Sequence, residues 1–333
     1  MTAPGAGASG EDSLIARYFK PLATDPGAFG LTDDAAILKA LGEDIVVTTD
    51  AIVEGVHFLA DDPPHTIARK ALRVNLSDLA AKGATPAGFV LTLALRGVDE
   101  SWLSAFAGGL SADAAKFDCP LLGGDTVSTP GPLMVSITAF GRVPVGKMVH
   151  RSGARPGDHV VVTGTIGDSA LGLNILRNGV VATALASDSA ARETLVGRYR
   201  VPEPRSALAL AVRAHTRAAM DVSDGLAGDL AKLCAASGVS AVIDVPAIPL
   251  SRAASAALAA RAVSMSEMMS GGDDYELLCA IPQDALEAFM LATQAAGIAA
   301  IPIGTIIAGP STPKFLDEEG RELLLPRASY SHF

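Results

Sequence analysis

The sequence predicts an α/β protein of two domains, in which strands and helices are mixed along the chain. Three observations support this fold class. The chain has 333 residues, 49% of them hydrophobic, which is enough to form the cores of two domains. β-rich runs and helix-like stretches follow one another in both halves. A segment rich in glycine, proline and basic residues, 141–158, interrupts this pattern and suggests a domain boundary near residue 150.

The first half begins with small residues at 1–10, which we expect to form a disordered tail. Residues 13–19 resemble a short amphipathic helix, and the rest of 11–150 is expected to form the first domain. The hydrophobic periodicity then predicts strands at 45–53, 89–97 and 133–143, and helices at 66–82 and 102–116.

The second half, 151–333, is expected to form the second α/β domain, and it opens with a strand at 160–164. A helix with a glycine-containing start follows this strand. Residues 288–313 are uncharged, but glycines and prolines interrupt them, so we interpret them as a helix end, a turn and a buried strand. Further elements are predicted as helices at 224–237 and 284–296 and strands at 241–245 and 276–281.

The charge balance limits the kinds of partner. Acidic residues outnumber basic ones by 36 to 26, for a net charge of −10, and no Lys/Arg-rich block is present. Nucleic acid is therefore not expected as a partner. A chain with so few cationic clusters must hold polyphosphates through backbone N–H groups, a few arginines or lysines, or metal ions.

The cysteines and the N-terminus point to the cytoplasm. Cys119, Cys234 and Cys279 are far apart in sequence and form no C-x-x-C pair, so we expect three core thiols rather than disulfides or a zinc site. The first residues have neither the basic nor the apolar region of a signal peptide. We therefore expect a cytoplasmic protein without a membrane segment.

The most informative feature is a set of aspartates that follow strands or lie in glycine-containing turns. Carboxylate oxygens suit Mg²⁺, which keeps some waters and shares its remaining positions with substrate phosphates. Any one of these aspartates is better explained as a turn residue or a helix cap. Their repetition at strand ends, where ligand sites of α/β proteins gather, favours a metal site. The set comprises Asp33, Asp34, Asp50, Asp78, Asp125, Asp221, Asp224, Asp273 and Asp274.

Glycine-rich segments are a weaker signal. The pairs at 123–124 and 271–272 would let the backbone approach a ligand, and GTIGDSALGL at 164–173 resembles a phosphate loop that leads into a helix. With 33 glycines in the chain, however, tight turns are the default explanation. The sequence has no G-x-x-x-x-G-K-[ST], H-R-D, D-F-G or G-x-S-x-G motif, so the common ATP-binding folds and serine hydrolases are not indicated. His57 lies just beyond Asp50, although by itself it would be read as a turn or core histidine.

Several segments occur in a fixed order along the chain: EDSLIARYF, TTDAIVEGVHF, KALRVNLSDLAAKGATP, LLGGDT, RSGARPGD, VTGTIGDSALGL, DVSDGLAGDL, SGGDDYELL and a final YSHF. Together they resemble the thiamine-monophosphate kinases, a family within the superfamily that includes aminoimidazole ribonucleotide synthetase and selenophosphate synthetase. The resemblance covers nearly the whole chain. It implies a two-domain ATP-binding fold like that of aminoimidazole ribonucleotide synthetase, whose N-terminal domain pairs through strands to form a homodimer.

The resemblance also implies a reaction and a set of residues. ATP would donate its γ-phosphoryl group to thiamine monophosphate, with several Mg²⁺ ions as cofactors. Gly124, Asp125, Arg151 and Ser223 match nucleotide-contacting positions, and His57 and Asp273 match positions that contact thiamine monophosphate. Asp50, Asp125 and Asp224 are expected to act most directly in the transfer. The implied magnesium ligands are Asp34, Thr48, Thr49, Asp50, Asp78, Asp125, Asp221 and Asp224.

Three positions depart from the family pattern. Thr32 stands where glycine is usual, Asp273 where glutamate is common, and Arg327 near a position that is often aromatic. The third departure bears on the contact to the thiamine rings. Two alternatives stay open at this point: another ATP-using enzyme of the superfamily, such as one like aminoimidazole ribonucleotide synthetase, and a non-catalytic nucleotide-binding relative. A selenium enzyme is not favoured, because no cysteine precedes Cys119.

Overall fold

The structure, a computed structural model, describes residues 14–31, 36–97, 99–323 and 325. The predicted tail at 1–10 lies outside them. The chain divides into two compact units, one of 1–75 with 86–142 and the other of 76–85 with 143–333. The sequence suggested a single boundary near residue 150 and did not anticipate that 76–85 would group with the later residues.

The first unit contains a four-stranded sheet with the strand order β1-β4-β2-β3. Its strands are β1 (Glu43–Val53), β2 (Thr85–Leu95), β3 (Leu121–Ser128) and β4 (Met134–Pro144). Helix α1 (Pro64–Ala81) begins in this unit, and helix α2 (Glu100–Lys116) lies within it. A short π-helical turn, Ile15–Phe19, replaces the amphipathic helix predicted at 13–19.

Strand β3 is the element of this unit that the sequence did not predict. Its segment was read as a glycine-containing turn, because glycine is disfavoured inside strands. In the structure β3 runs parallel to β2, with Gly124 opposite Leu91. A Cβ atom on Gly124 would lie 2.0 Å from the carbonyl oxygen of Leu91. Close packing of two backbones therefore explains this glycine.

The second unit is built on a six-stranded sheet with the order β10-β7-β9-β5-β8-β6. Its strands are β5 (His159–Thr163), β6 (Ala218–Asp221), β7 (Val239–Asp244), β8 (Leu277–Ile281), β9 (Ala300–Ala308) and β10 (Lys314–Leu316). The helices between them are α3 (Asp168–Leu176), α4 (Val180–Ala184), α5 (Ser189–Arg200), α6 (Ala209–His215), α7 (Leu226–Ser237), α8 (Arg252–Ala259), α9 (Met265–Ser270) and α10 (Leu286–Ala295).

Both faces of the six-stranded sheet are buried. Successive side chains of a strand point to opposite faces, and on β5 Val160 and Val162 pack into one hydrophobic cluster while Val161 packs into another. Helix α7 covers the first face, and helices α6 and α10 contribute to the second. This arrangement explains why the strands of this unit read as nearly continuous apolar runs.

One further expectation concerns the uncharged segment of the second half. Residues 288–313 include the end of α10, a turn and β9, as predicted, but β9 is only partly buried. No helix in the described part of the chain is long and apolar enough to cross a membrane.

The cysteines are free and buried, as expected for core thiols. Burial raises the pKa of Cys119 and Cys279 to about 12, and that of Cys234 to about 11. At neutral pH all three are therefore thiols rather than the reactive thiolates.

Candidate functional site

Strand β1 carries three of the predicted metal ligands, but their side chains lie on two faces of the sheet. Alternation along the strand puts Thr48 and Asp50, both partly buried, on the same side as the buried Val46. Thr49 is on the exposed side, where its hydroxyl donates to the carbonyl of Ile137 at 3.2 Å. The side chains of Thr48 and Asp50 can therefore serve one site, and that of Thr49 cannot join them.

Asp125 lies on β3, at the other edge of the same sheet. Since β1 and β3 are its two edge strands, three strand spacings separate Asp50 from Asp125, roughly 14 Å across the sheet. Ligands of one Mg²⁺ ion lie within about 2.1 Å of it. Within one chain, therefore, these two aspartates do not converge on a single ion, although both were expected to act directly in the transfer.

His57 follows β1 in a turn that fixes both its backbone and its ring. Its carbonyl oxygen accepts a hydrogen bond from the buried Lys70 ammonium at 2.8 Å, and its Nδ1 accepts one from the backbone N–H of Val53 at 3.0 Å. A ring nitrogen that accepts a backbone N–H carries no proton, so the neutral imidazole has its proton on Nε2. His57 is thus arranged to offer Nε2–H as a donor.

In the second unit, Asp221 ends β6 close to Lys82, a partly buried lysine that was not among the predicted site residues. Lys82 donates to the carbonyl of Ala219 at 2.9 Å. Burial lowers the pKa of Lys82, the negative charges of Asp221 and Asp78 oppose that shift, and the nearby Arg151 adds to it. Three predicted residues, Asp78, Arg151 and Asp221, and the newly found Lys82 therefore lie close together at this end of β6.

The segments after β6 and before β8 form a pair, here called the paired loops (222–225 and 271–276). Because β6 and β8 are antiparallel, with Asp221 opposite Leu277, the end of one strand meets the start of the other. Three hydrogen bonds of 2.8 Å extend the pairing beyond the strands: Val222 N–H to Glu276 O, Tyr275 N–H to Val222 O, and Asp273 N–H to Ser223 O. The last bond directly links a residue expected to contact the nucleotide with one expected to contact the acceptor.

Asp229, in the first turn of α7, anchors one of the paired loops. Its fully buried carboxylate accepts the backbone N–H groups of Ser223 and Asp224, each at 2.9 Å. Lys232 connects the two acids by donating to Asp229 at 2.8 Å and also to Asp224. Burial raises the pKa of Asp229, while its hydrogen bond with Lys232 opposes the shift.

Asp274 anchors the other loop. Its carboxylate, also fully buried, accepts the backbone N–H of Gly167 at 2.8 Å and that of Ser169 at 3.4 Å, at the start of α3. The sequence had suggested that this glycine-rich start could hold a phosphate, but the structure shows a carboxylate of the same chain there. Burial raises the pKa of Asp274 well above its usual range.

Glu276 holds the base of the second loop through a buried ionic network. It pairs with Arg198 at 2.7 Å and with Arg205, whose Nε donates at 2.6 Å, and it accepts the hydroxyl of Thr163 at 2.8 Å. Arg198 also donates to the carbonyl of Asp274 at 3.0 Å. In the SGGDDYE segment, therefore, Asp273 is the partly exposed acid, and Asp274 and Glu276 are structural.

The structure brings together some of the predicted residues and not others. Asp78, Arg151 and Asp221 surround Lys82, and Ser223, Asp224 and Asp273 meet in the paired loops. Among the described residues, no group of three or more His, Cys, Asp or Glu side chains is positioned to hold a metal ion by itself. Asp34, together with Asp33, Thr32 and Arg327, lies outside the described residues.

Sequence reasoning missed Lys82, Asp229 and Lys232, and it treated Asp274 as a candidate ligand. One usable signal was available for Asp229: an acidic residue in the first turn of a helix that follows a glycine is well placed to accept backbone N–H groups. No comparable local signal distinguishes Asp274 from its neighbour Asp273.

Two family models match the chain: AIR synthase related protein, N-terminal domain, over 32–143, and AIR synthase related protein, C-terminal domain, over 155–314. A thiamine-monophosphate kinase of Caulobacter vibrioides is 44% identical, with 99% of this chain and 93% of that protein covered. The crystal structure of thiamine-monophosphate kinase from Stenotrophomonas maltophilia K279a superposes with a TM-score of 0.81 at 38% identity, covering 91% and 94% of the two chains.

A structure of AaThiL complexed with AMPPCP and TMP gives a TM-score of 0.76 at 27% identity, covering 92% of this chain and 97% of that one. These likenesses cover both units and agree with the segments that the sequence analysis recognised. The chain belongs to the thiamine-monophosphate kinase family, within the AIR synthase related proteins.

Proposed function

We propose that this protein transfers the γ-phosphoryl group of ATP to the phosphate of thiamine monophosphate, giving thiamine diphosphate and ADP. The full-length likeness to thiamine-monophosphate kinases carries this proposal. A relative complexed with AMPPCP, an ATP analogue, and TMP supports both substrates. The bond from Asp273 N–H to Ser223 O supports it further, because these two residues are the ones proposed to contact the acceptor and the nucleotide.

The acceptor is itself a good nucleophile. The second pKa of a phosphate monoester is about 6, so its oxygen is largely deprotonated at neutral pH and requires no general base. Direct in-line transfer is therefore sufficient, and no phosphoenzyme forms. Trapping a covalent phosphoprotein during turnover would refute this step.

The main difficulty is repulsion between two polyanions. Two unit charges about 4 Å apart interact by roughly 4 kcal/mol at an effective dielectric constant of 20. Arg151 is exposed and lies near Lys82. It is proposed to contact the nucleotide together with Ser223, Gly124 and Asp125. His57 is proposed to donate from Nε2–H to thiamine monophosphate.

The proposed ligands fit magnesium ions. All are hard oxygen donors, and the structure already places a cationic ammonium near them, Lys82 beside Asp78 and Asp221 and Lys232 against Asp224. Mg²⁺ is usually held by one or two carboxylates plus substrate phosphates and water, so no larger cluster is required. Bound there, Mg²⁺ would neutralise the phosphate charge. The proposed set is Asp34, Thr48, Asp50, Asp78, Asp125, Asp221 and Asp224, with Thr49 acting through its backbone carbonyl.

We further propose that the protein acts as a homodimer in the cytoplasm. The first unit has an edge strand at each side of its sheet, and Val47 on β1 is 58% exposed, which suits pairing with a second copy. A copy whose β3 edge lay beside β1 would bring its own Asp125 towards Asp50. The separation of these aspartates within one chain thus supports a shared site.

The activity is tested by incubating the protein with ATP, Mg²⁺ and thiamine monophosphate and measuring thiamine diphosphate by mass spectrometry. We expect product only when all three are present. Parallel reactions omit Mg²⁺ or replace the acceptor with formylglycinamidine ribonucleotide. ADP release with that purine precursor and not with thiamine monophosphate would identify an enzyme like aminoimidazole ribonucleotide synthetase instead.

A further inference from the structure

Two buried carboxylates hold the paired loops, one for each loop. Asp229 accepts the N–H groups of Ser223 and Asp224, and Asp274 accepts those of Gly167 and Ser169. Neither carboxylate is exposed, so neither can touch a substrate in this conformation. Nevertheless, Asp274 directly follows Asp273, and Asp229 comes six residues after Ser223, and both of these neighbours are proposed substrate contacts.

The loop held by Asp274 is conformationally strained. Asp273 and Tyr275, on either side of it, have φ angles of 71° and 51°, in the left-handed region that non-glycine residues seldom adopt. Such a backbone persists only where surrounding contacts fix it. Asp274 provides the buried contact between the two strained residues, and the hydroxyl of Tyr275 donates to the Asp273 carboxylate at 3.2 Å.

Each of the paired loops has a glycine that is required by close packing. A Cβ atom on Gly272 would lie 2.5 Å from the carbonyl oxygen of Ser223, and one on Gly225 would lie 2.8 Å from the carbonyl carbon of Ser270. The two loops therefore have little room to move past one another. Each anchor fixes its own loop, and the bond between Asp273 and Ser223 joins them.

We propose that Asp274 and Asp229 are positioning residues with separate duties: Asp274 sets Asp273 for the acceptor, and Asp229 sets Ser223 and Asp224 for the nucleotide. This proposal rests on the proposed function. It assigns acidic residues of the two motifs to the orientation of ligand contacts rather than to ligand or metal binding. In metal sites, loss of the contacts that orient the ligands costs about 10–100-fold in affinity or activity, which sets the scale expected here.

The test compares Asp274→Asn with Asp229→Asn in the full chain with Mg²⁺. An amide keeps the size of the side chain but replaces one acceptor oxygen with a donor. At Asp274 each oxygen accepts one N–H, so the amide must oppose that of Gly167 or that of Ser169. At Asp229 one oxygen accepts both N–H groups and the other accepts Lys232, so the amide either opposes the two N–H groups or faces the Lys232 ammonium. We expect Asp274→Asn to raise KM for thiamine monophosphate about tenfold, with KM for ATP changed less than threefold. Asp229→Asn should show the reverse pattern.

A matched control is Asp188→Asn. Asp188 caps helix α5 by accepting the N–H of Ala191 at 2.9 Å, in the same unit but outside the paired loops. This variant should change neither KM. KM does not depend on the amount of active enzyme. Partial unfolding would therefore lower the maximal rate without changing the two KM values by different factors.

Tyr275→Phe is a smaller change that tests the positioning of Asp273 for the acceptor. It replaces Asp274→Asn in the experiment if that variant does not fold. Removing the hydroxyl should raise KM for thiamine monophosphate a few-fold and leave that for ATP unchanged. Equal changes in both KM values for all three loop variants, or no change in either, would overturn the proposal.

Calorimetry with AMPPCP and with thiamine monophosphate separates this proposal from the proposed function. If the wild type forms no thiamine diphosphate, the proposed function fails, and the Kd values of the variants still decide the positioning roles. A higher Kd for thiamine monophosphate in Asp274→Asn, together with a higher Kd for AMPPCP in Asp229→Asn, would support these roles. Equal changes of both Kd values in both variants would refute them.

Discussion

The acidic residues of the two units are placed in opposite ways. In the first unit Asp50 and Asp125 project from strands at the two edges of one sheet, and the sheet keeps them apart. In the second unit Asp224 and Asp273 lie on loops that other buried acids hold together. The sheet fixes positions through its hydrogen-bond ladder and the loops through side-chain anchors. Substitution of a buried anchoring acid in the second unit should therefore affect folding most, and substitution of Asp50 in the first unit should affect activity most.

Glu276→Gln should have the largest effect of the three substitutions, and it acts on folding. It leaves the partly buried Arg198 and Arg205 without their shared negative charge, and breaking such a buried pair costs about 3–5 kcal/mol. Thermal unfolding followed by circular dichroism should show a clear fall in Tm. Glu319→Gln, which removes an exposed ion pair with Arg321, is the control and should leave Tm unchanged. Similar Tm values for both variants would break the comparison between the units.

Asp50→Asn should reduce kcat about a hundredfold, or ~2.7 kcal/mol of barrier, with little change in Tm. Its carboxylate is proposed to bind metal and lies on a partly buried face of an edge strand. Thr49→Val, one residue away on the exposed face, keeps the backbone carbonyl and should lower kcat less than threefold. Steady-state kinetics and a melting curve on both variants provide the check. Equal losses of activity and stability in Asp50→Asn would count against a ligand role.

Gly124→Ala should have the smallest effect, about 1–3 kcal/mol of stability, because the new methyl group would meet the backbone of β2. Gly123→Ala is the matched control, since a Cβ atom there meets no atom within 4 Å. Urea unfolding gives the free energy of unfolding of both variants, and their difference measures how closely β2 and β3 pack in the first sheet. If the two variants unfold at the same urea concentration, close strand packing does not explain Gly124.

Hydrophobic periodicity predicted many of the strands and helices, but it failed for the strand in which packing requires a glycine. The strands at 45–53 and 160–164 lie close to their observed bounds, because apolar side chains alternate or fill them. Strand β3 was missed, since its two glycines lower β propensity and only the neighbouring strand explains Gly124. Helix α5 was not predicted, and its polar composition gives few apolar positions to read.

The candidate site was predictable as a set of residues but not as an arrangement. The family resemblance proposed site roles for Ser223, Asp224 and Asp273, and the structure brings these three residues together. Local sequence could not show that Asp274 is buried and Asp273 partly exposed, because that difference depends on α3, more than a hundred residues earlier. Nor could it show that β1 and β3 occupy opposite edges, which depends on strand order.

The carboxylate of Asp274 at the start of α3 has an evolutionary consequence. A helix start with glycine and free N–H groups is an anion receptor, and in this chain the receptor is satisfied internally. Shortening that one side chain would leave two buried N–H donors without their acceptor, beside the loop that carries Asp273. In this architecture the acid can therefore be lost during evolution only if another acceptor takes its place.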